Sequence, residues 1–119
     1  MNFDEISFIN EVFKRSVEGS IAWCFSEQVP PVIYYNSEIT ITSCYQSSIL
    51  NNGAILYLFR YRIPEYDGEY DKFFNVEKIR LLSIQFDRIS WQSYAESAPI
   101  YNLFDYVSSR YSGLSDFFS

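Results

Sequence analysis

The chain has 119 residues, of which 48% are hydrophobic and 20% are charged, with only four glycines and four prolines. This length accommodates one hydrophobic core, and the composition excludes both a disordered and a fibrous chain, so we expect a single domain over residues 1–119. Nine basic and fifteen acidic residues give a net charge of −6. That sign is wrong for a surface that neutralises phosphates, and nucleic acid is not expected as a direct ligand.

The absence of histidine removes the commonest general base and the commonest zinc ligand. The four glycines are isolated, which excludes a phosphate-binding loop, and no serine stands in a nucleophile elbow. We therefore predict a protein that is not an enzyme and that binds neither a metal nor a cofactor. Cys24 and Cys44 are interpreted as buried free thiols, and the alternative for this pair is a disulfide.

The compartment is predicted from the N-terminus and from hydropathy. The first five residues are acidic rather than basic, and no apolar stretch approaches the roughly 20 residues that span a bilayer. We expect a cytoplasmic protein without a membrane partner.

The first predicted element is an amphipathic helix over residues 3–17. Its apolar residues recur at spacings of three and four: Phe3, Ile6, Ile9, Phe13 and Val17. Asn2 and Glu5 have the spacing of a capping box, Glu11 and Arg15 form an i,i+4 pair, and Gly19 is expected to end the helix.

Extended structure is predicted from Ser20 onward, where the apolar period changes to two. One face of this strand carries the larger apolar side chains: Ile21, Trp23 and Phe25. Two prolines at positions 30 and 31 interrupt this pattern because they lack an N–H. We expect a strand over residues 32–35, a hairpin turn at positions 36 and 37, and a strand over residues 38–45 with one solvent-exposed face.

The second half of the chain predicts a central strand over residues 54–63, after the Asn52-Gly53 turn, and a strand over residues 76–89. In the strand over residues 76–89 the apolar positions are odd-numbered at Ile79 and Leu81 and even-numbered from Leu82 to Phe86. This change of parity predicts a β-bulge at Leu81-Leu82. Ser97 and Pro99 open a final helix that runs to Tyr111 and ends at Gly113. The predicted fold is therefore α+β, with an antiparallel sheet of four to six strands and an N-terminal and a C-terminal helix packed against one face.

The most unusual segment alternates four carboxylates with two tyrosines and a glycine: Glu65, Tyr66, Asp67, Gly68, Glu69, Tyr70 and Asp71. One interpretation is a solvated loop between two strands. A calcium loop starting at Asp67 would need a glutamate at its twelfth position, where Lys78 stands. The third interpretation is a partner-binding surface, in which tyrosines supply contact area and carboxylates steer a basic partner. The candidate partner-binding residues are Glu65, Tyr66, Asp67, Glu69, Tyr70 and Asp71.

Two further features carry open alternatives. Arg60, Arg62, Lys78 and Arg80 would form either a basic band or, as we favour, ion pairs with Glu77 and the carboxylates of residues 65–71. The tail contains Phe117 and Phe118, which either dock on the body or serve a partner.

In size, negative charge and its acid-tyrosine stretch at residues 65–71, the chain resembles the small acidic immunity proteins of bacterial toxin systems. The resemblance implies a stoichiometric binder that neutralises a basic protein, either a toxin domain or a nuclease, by covering its active site. The alternative is an acidic mimic of nucleic acid, such as a phage-encoded inhibitor of a defence nuclease, which would need carboxylates along a whole face. A secretion chaperone and a small carboxylate-based enzyme are further alternatives.

Overall fold

A computed structural model describes residues 4–34, 39–94 and 96–111. Five strands form one antiparallel sheet in which each strand pairs with its sequence neighbours, so β3 is central. The predicted α+β fold is confirmed. The elements in chain order are α1 (Glu5–Glu18), β1 (Trp23–Phe25), a 3-10 turn (Pro31–Tyr34), β2 (Thr40–Ser47), β3 (Ile55–Asp67), β4 (Lys72–Gln85), β5 (Arg88–Gln92) and α2 (Ala98–Arg110).

Helix α1 begins later than its sequence pattern predicts. The Asp4 carboxylate caps it by accepting from the Ser7 backbone N–H at 3.1 Å, because that donor has no partner inside the helix. The predicted cap at Asn2 is therefore wrong. The helix ends as predicted at Gly19, whose φ of 88° is in the left-handed region. Its buried face is formed by Ile9, Val12 and Ser16, whereas the predicted stripe residues Ile6 and Val17 are exposed.

Helix α2 begins after Ser97 and has Pro99 in its first turn, as predicted. The Ser97 side chain makes no capping hydrogen bond, and Gly113 lies outside the described residues. Its buried positions keep the predicted helical spacing: Ile100, Leu103, Phe104 and Val107.

The predicted strand over residues 32–35 is wrong where the structure describes it, because Pro31–Tyr34 is a 3-10 turn. The Ile33 N–H donates to the Pro30 carbonyl at 3.0 Å, and the fixed φ of proline suits this turn. The turn predicted at positions 36 and 37 lies outside the described residues. Ile33 is fully buried against the sheet.

Strand β2 is buried on both faces in its second half, so the prediction of one solvent-exposed face is wrong there. Cys44 and Tyr45 are adjacent and both buried. The pairing with β3 shifts register between Ile41 and Ser43. This shift places Ile41 and Cys44 in the same apolar cluster although their positions differ by three, which in a regular strand puts side chains on opposite faces.

No bulge interrupts β4 at Leu81-Leu82. Its register with β3 is continuous there, with Leu58 opposite Leu81 and Tyr57 opposite Leu82. The parity changes because both faces of the central sheet are buried. A register shift occurs instead between β4 and β5, at Ser83 and Ile84.

The sheet separates two apolar clusters. The cluster on the helix side joins both helices to the sheet and contains Trp23, which is buried as expected from its apolar strand. The cluster on the opposite side contains Phe59, also buried as expected, and is covered in part by Ile33. Both helices therefore pack on one face of the sheet, as predicted.

Candidate protein-binding hairpin

The acid-tyrosine stretch forms the tip of a long hairpin and not a separate loop. The pairing of β3 with β4 is unbroken from Ile55 opposite Ile84 to Asp67 opposite Lys72. Glu65, Tyr66 and Asp67 therefore lie on β3, and residues 68–71 make the turn. The interpretation of residues 65–71 as a connecting loop needs this correction, because strand pairing continues three residues into the stretch.

The end of this hairpin extends past the neighbouring strands. Pairing between β2 and β3 ends at Thr40 opposite Arg62, and β5 pairs with β4 only over residues 82–85. We call residues 63–76 the distal ribbon. In the part of the chain that the structure describes, no third strand pairs with it. At roughly 3.4 Å per residue, it projects about 17 Å beyond the last pair with β2.

Four aromatic rings are exposed on the distal ribbon: Tyr66 (56% exposed), Tyr70 (62%), Phe73 (71%) and Phe74 (46%). Tyr66 and Phe73 are directly opposite one another, with ring centroids 5.3 Å apart. The rings of Tyr70 and Phe74 meet edge to face at 6.5 Å. The structure thus brings the two predicted tyrosines together with two phenylalanines that sequence reasoning missed.

The carboxylates of the ribbon organise its tip. Asp71 accepts a hydrogen bond from the Tyr66 hydroxyl, which raises the pKa of Tyr66 above its usual value because the bond favours the neutral phenol. Asp67 accepts from the Glu69 backbone N–H at 2.9 Å, in the manner of an Asx turn. Within residues 4–34, 39–94 and 96–111, no three potential metal-ligating side chains converge, at this tip or elsewhere.

Two of the four bases near the hairpin form the predicted ion pairs. Arg62 pairs with Glu77 at 3.1 Å, and Lys78 pairs with Glu65 at 2.6 Å. The hydrogen bond from the Lys78 ammonium to Glu65 raises the pKa of Lys78.

Two arginines lie against aromatic rings instead. The Arg60 guanidinium is 4.7 Å from the centroid of Phe104, and that of Arg80 is 5.3 Å from the centroid of Tyr61. These contacts are within the range of cation–π attraction. The four bases therefore do not form a basic band, and the distal ribbon keeps four carboxylates against one ammonium group, that of Lys72.

Another exposed aromatic residue lies at the opposite end of β4, in the two-residue turn to β5. Phe86 is 87% exposed, and both Phe86 and Asp87 have left-handed backbone angles, with φ of 55° and 60°. A hairpin turn of this type favours asparagine and glycine. The prediction of one strand over residues 76–89 overlooked this turn because its first position holds phenylalanine, which is not a typical turn former.

The two cysteines lie on neighbouring strands as free thiols, with Cys44 buried and Cys24 exposed. The expectation that both are buried is thus wrong for Cys24, which lies on the short edge strand β1. Burial raises the pKa of the Cys44 thiol to about 12 because a thiolate is poorly solvated there.

A groove of about 430 Å³ lies between α1 and residues 49–52. Its acidic lining residue, Glu11, pairs with Arg15 at 2.9 Å. The hydrogen bond from Arg15 lowers the pKa of Glu11. A carboxylic acid that donates protons near neutrality needs a raised pKa, so the lowered pKa does not suit Glu11 to that role.

Comparison with protein-family models, with curated proteins and with solved structures finds no match for this chain. Neither of the helices in the described residues has the length and apolar character needed to cross a bilayer.

Proposed function

We propose that this protein is a stoichiometric binding module that neutralises a basic protein, and that the distal ribbon is its binding element. The observation that carries the proposal is the exposure of four aromatic rings among four carboxylates on one projecting ribbon. Aromatic side chains are enriched at interface hot spots because they bury a large area at a small entropy cost. The apolar faces of these rings are stabilised when a partner covers them.

The charge of the ribbon indicates the sign of the partner. Its carboxylates outnumber its ammonium groups by four to one, and the bases at its root, Arg62 and Lys78, are already paired. Such a surface attracts a cationic patch and accelerates association, most strongly at low salt.

Among basic partners, we propose a nuclease-type toxin, so that the protein acts as an immunity protein. Its overall size and net charge support this role, together with the concentration of acid and aromatic residues at one end of the hairpin. A nucleic-acid mimic would require carboxylates along a whole face. On the distal ribbon they alternate with rings instead, which is less suited to imitating phosphates than to contacting a protein.

The test begins with the neighbouring reading frame, because toxin and immunity genes are commonly adjacent. We expect its product to be basic, to be toxic when expressed alone, and to form a 1:1 complex with this chain that abolishes its activity. Isothermal titration calorimetry measures the stoichiometry. A neighbouring product that neither binds nor is inhibited contradicts the immunity role.

Charge reversal then tests where the partner binds. Asp67→Lys with Glu69→Lys should reduce the association rate at low salt at least tenfold. Glu18→Lys with Asp105→Lys makes the same change in net charge on exposed helix positions and should leave the rate within about threefold. Equal effects of the two pairs would mean that only the net charge matters and not the ribbon.

A further inference from the structure

We propose, on the premise of the function above, that the distal ribbon inserts into a cleft of its partner and contacts both walls of that cleft. The alternative geometry is a ribbon that lies with one face on a flat surface. A ribbon that docks by one face needs contact residues on that face only, whereas a ribbon that inserts needs them on both faces. The positions of the exposed rings distinguish the two geometries.

One pair of rings lies on the helix side of the ribbon. Side chains alternate along a strand, so Tyr66 shares a face of β3 with Arg60, whose guanidinium lies over Phe104 of α2. Phe73 is directly opposite Tyr66 and therefore occupies the same face. This pair continues the helix-side face of the sheet towards the tip of the hairpin.

The other pair lies on the opposite side. Phe74 follows Phe73 on β4 and is opposite Glu65 on β3, so its ring points away from the helix side. Tyr70, in the turn, contacts Phe74 edge to face. A partner that covered one face alone would leave the other pair of rings in water, whereas a cleft covers both pairs at once.

Two ion pairs join the strands at the root of the ribbon, one on each face. The ion pair between Arg62 and Glu77 joins the two strands on the helix side, and the pair between Lys78 and Glu65 joins them on the other side. The bond from Tyr66 to Asp71 closes the tip. Preorganisation of this kind reduces the ordering entropy lost on binding.

The partner's chemistry follows from the order of these groups along the ribbon. The tip of the ribbon, with Asp67, Glu69 and Asp71, enters first, so the floor of the cleft should carry arginine or lysine. The walls should be apolar or aromatic. Sheet layers pack about 10 Å apart, so the backbones of the two walls should be about 20 Å from each other. A second copy of this chain fits poorly, because its own ribbon is acidic.

Photo-crosslinking from adjacent positions tests the insertion. Phe73 and Phe74 are replaced one at a time by p-benzoylphenylalanine in the full chain, with the exposed Tyr94 as the control position, and each variant is irradiated in a lysate of the source cells. We expect positions 73 and 74 to crosslink to one and the same protein, at peptides on opposite walls of a single concave site. Position 94 should not crosslink to that protein.

Each other outcome overturns the insertion. Crosslinks from only one of positions 73 and 74 would indicate docking by one face, which leaves the proposed function intact. Crosslinks to this chain itself would make a second copy the occupant. No crosslink from either position would contradict both the insertion and the proposed function.

Affinity provides a second measurement once the partner is identified. Phe73→Ser and Phe74→Ser should each weaken binding at least tenfold, with far-UV circular dichroism unchanged. A loss confined to one of the two variants would again indicate docking by one face.

Discussion

The indole N–H of Trp23 donates to the hydroxyl of Ser16 at 2.8 Å, and this hydroxyl donates in turn to the Val12 carbonyl at 2.7 Å. The relay joins β1 to α1 inside the helix-side cluster. A buried indole N–H needs an acceptor, and a serine on the buried face of a helix can supply one while it bonds to the carbonyl four residues earlier. Ser16 is thus a polar core residue because Trp23 is its neighbour.

This relay predicts a graded loss of stability. Trp23→Ala should lower the free energy of unfolding by about 3 to 5 kcal/mol, because a large ring leaves a cavity. Ser16→Ala should cost about 1 to 3 kcal/mol, since the indole N–H then has no acceptor. Urea denaturation measures both values. A urea denaturation curve for Trp23→Ala that matches the wild type would contradict the placement of this ring.

The two thiols should differ sharply in reactivity. Cys24 is exposed and Cys44 is buried with a raised pKa, and only a thiolate reacts with alkylating reagents. Iodoacetamide at pH 8 should label one thiol of the folded protein, and peptide mapping should place the label on Cys24. In urea both should react. Labelling of Cys44 at the same rate as Cys24 would show that the second apolar cluster opens readily.

Stability should also decrease at alkaline pH through Cys44. Its pKa in the folded state, about 12, is above the ordinary value of 9.0, so the unfolded chain loses this proton first and is favoured as the pH rises from 9 towards 12. Relative to pH 8, wild type should lose about 1 kcal/mol more than Cys44→Ala by pH 10. The comparison with Cys44→Ala cancels the contribution of Tyr45, whose raised pKa does not depend on Cys44, but not that of Tyr57, whose pKa Cys44 helps to raise. Identical pH profiles would contradict the raised pKa.

Much of the fold follows from local pattern. The run at residues 54–63 predicts a central strand because it is apolar on both faces, and β3 is the middle strand. The pattern misleads at residues 32–34, where β-branched and aromatic residues favour a strand but the preceding prolines favour a 3-10 turn. It also misleads at Leu81-Leu82, because a parity change has two physical causes and the sequence does not distinguish a bulge from burial on both faces.

The candidate site could be predicted only in part. The density of acid and tyrosine marks residues 65–71, but the register of the hairpin decides which other residues join them. Phe73 and Phe74 belong to the site because β4 folds back beside Tyr66 and turns at Tyr70. Two adjacent phenylalanines on a strand must point to opposite faces. That rule would have marked one of them as exposed, had the strand been predicted to begin at Lys72.

The turn between β4 and β5 should accept a more suitable sequence. Phe86 and Asp87 both have positive φ, which costs more energy for phenylalanine than for aspartate, asparagine or glycine. Replacing them with Asn-Gly should raise the free energy of unfolding by about 1 kcal/mol, measured by urea denaturation. Phe86→Ala removes the exposed ring but leaves at position 86 a residue that disfavours positive φ. It should therefore raise the free energy of unfolding less than the Asn-Gly replacement does. A destabilising Asn-Gly turn would show that the Phe86 ring packs on the body.

The final prediction separates contact from steering on the distal ribbon, by kinetics with the partner identified as above. Tyr66→Ala and Tyr70→Ala should mainly increase the dissociation rate, since the rings are contacts, whereas charge reversal at Asp67 and Glu69 should mainly slow association and weaken its dependence on salt. Tyr66→Phe keeps the ring and loses only the bond to Asp71, so its dissociation rate should remain nearer to wild type than that of Tyr66→Ala. Stability should hardly change in any of these variants, because the side chains are exposed. Rates within twofold of wild type for the whole set at low salt would mean that the ribbon only connects β3 to β4, and that the partner binds another surface.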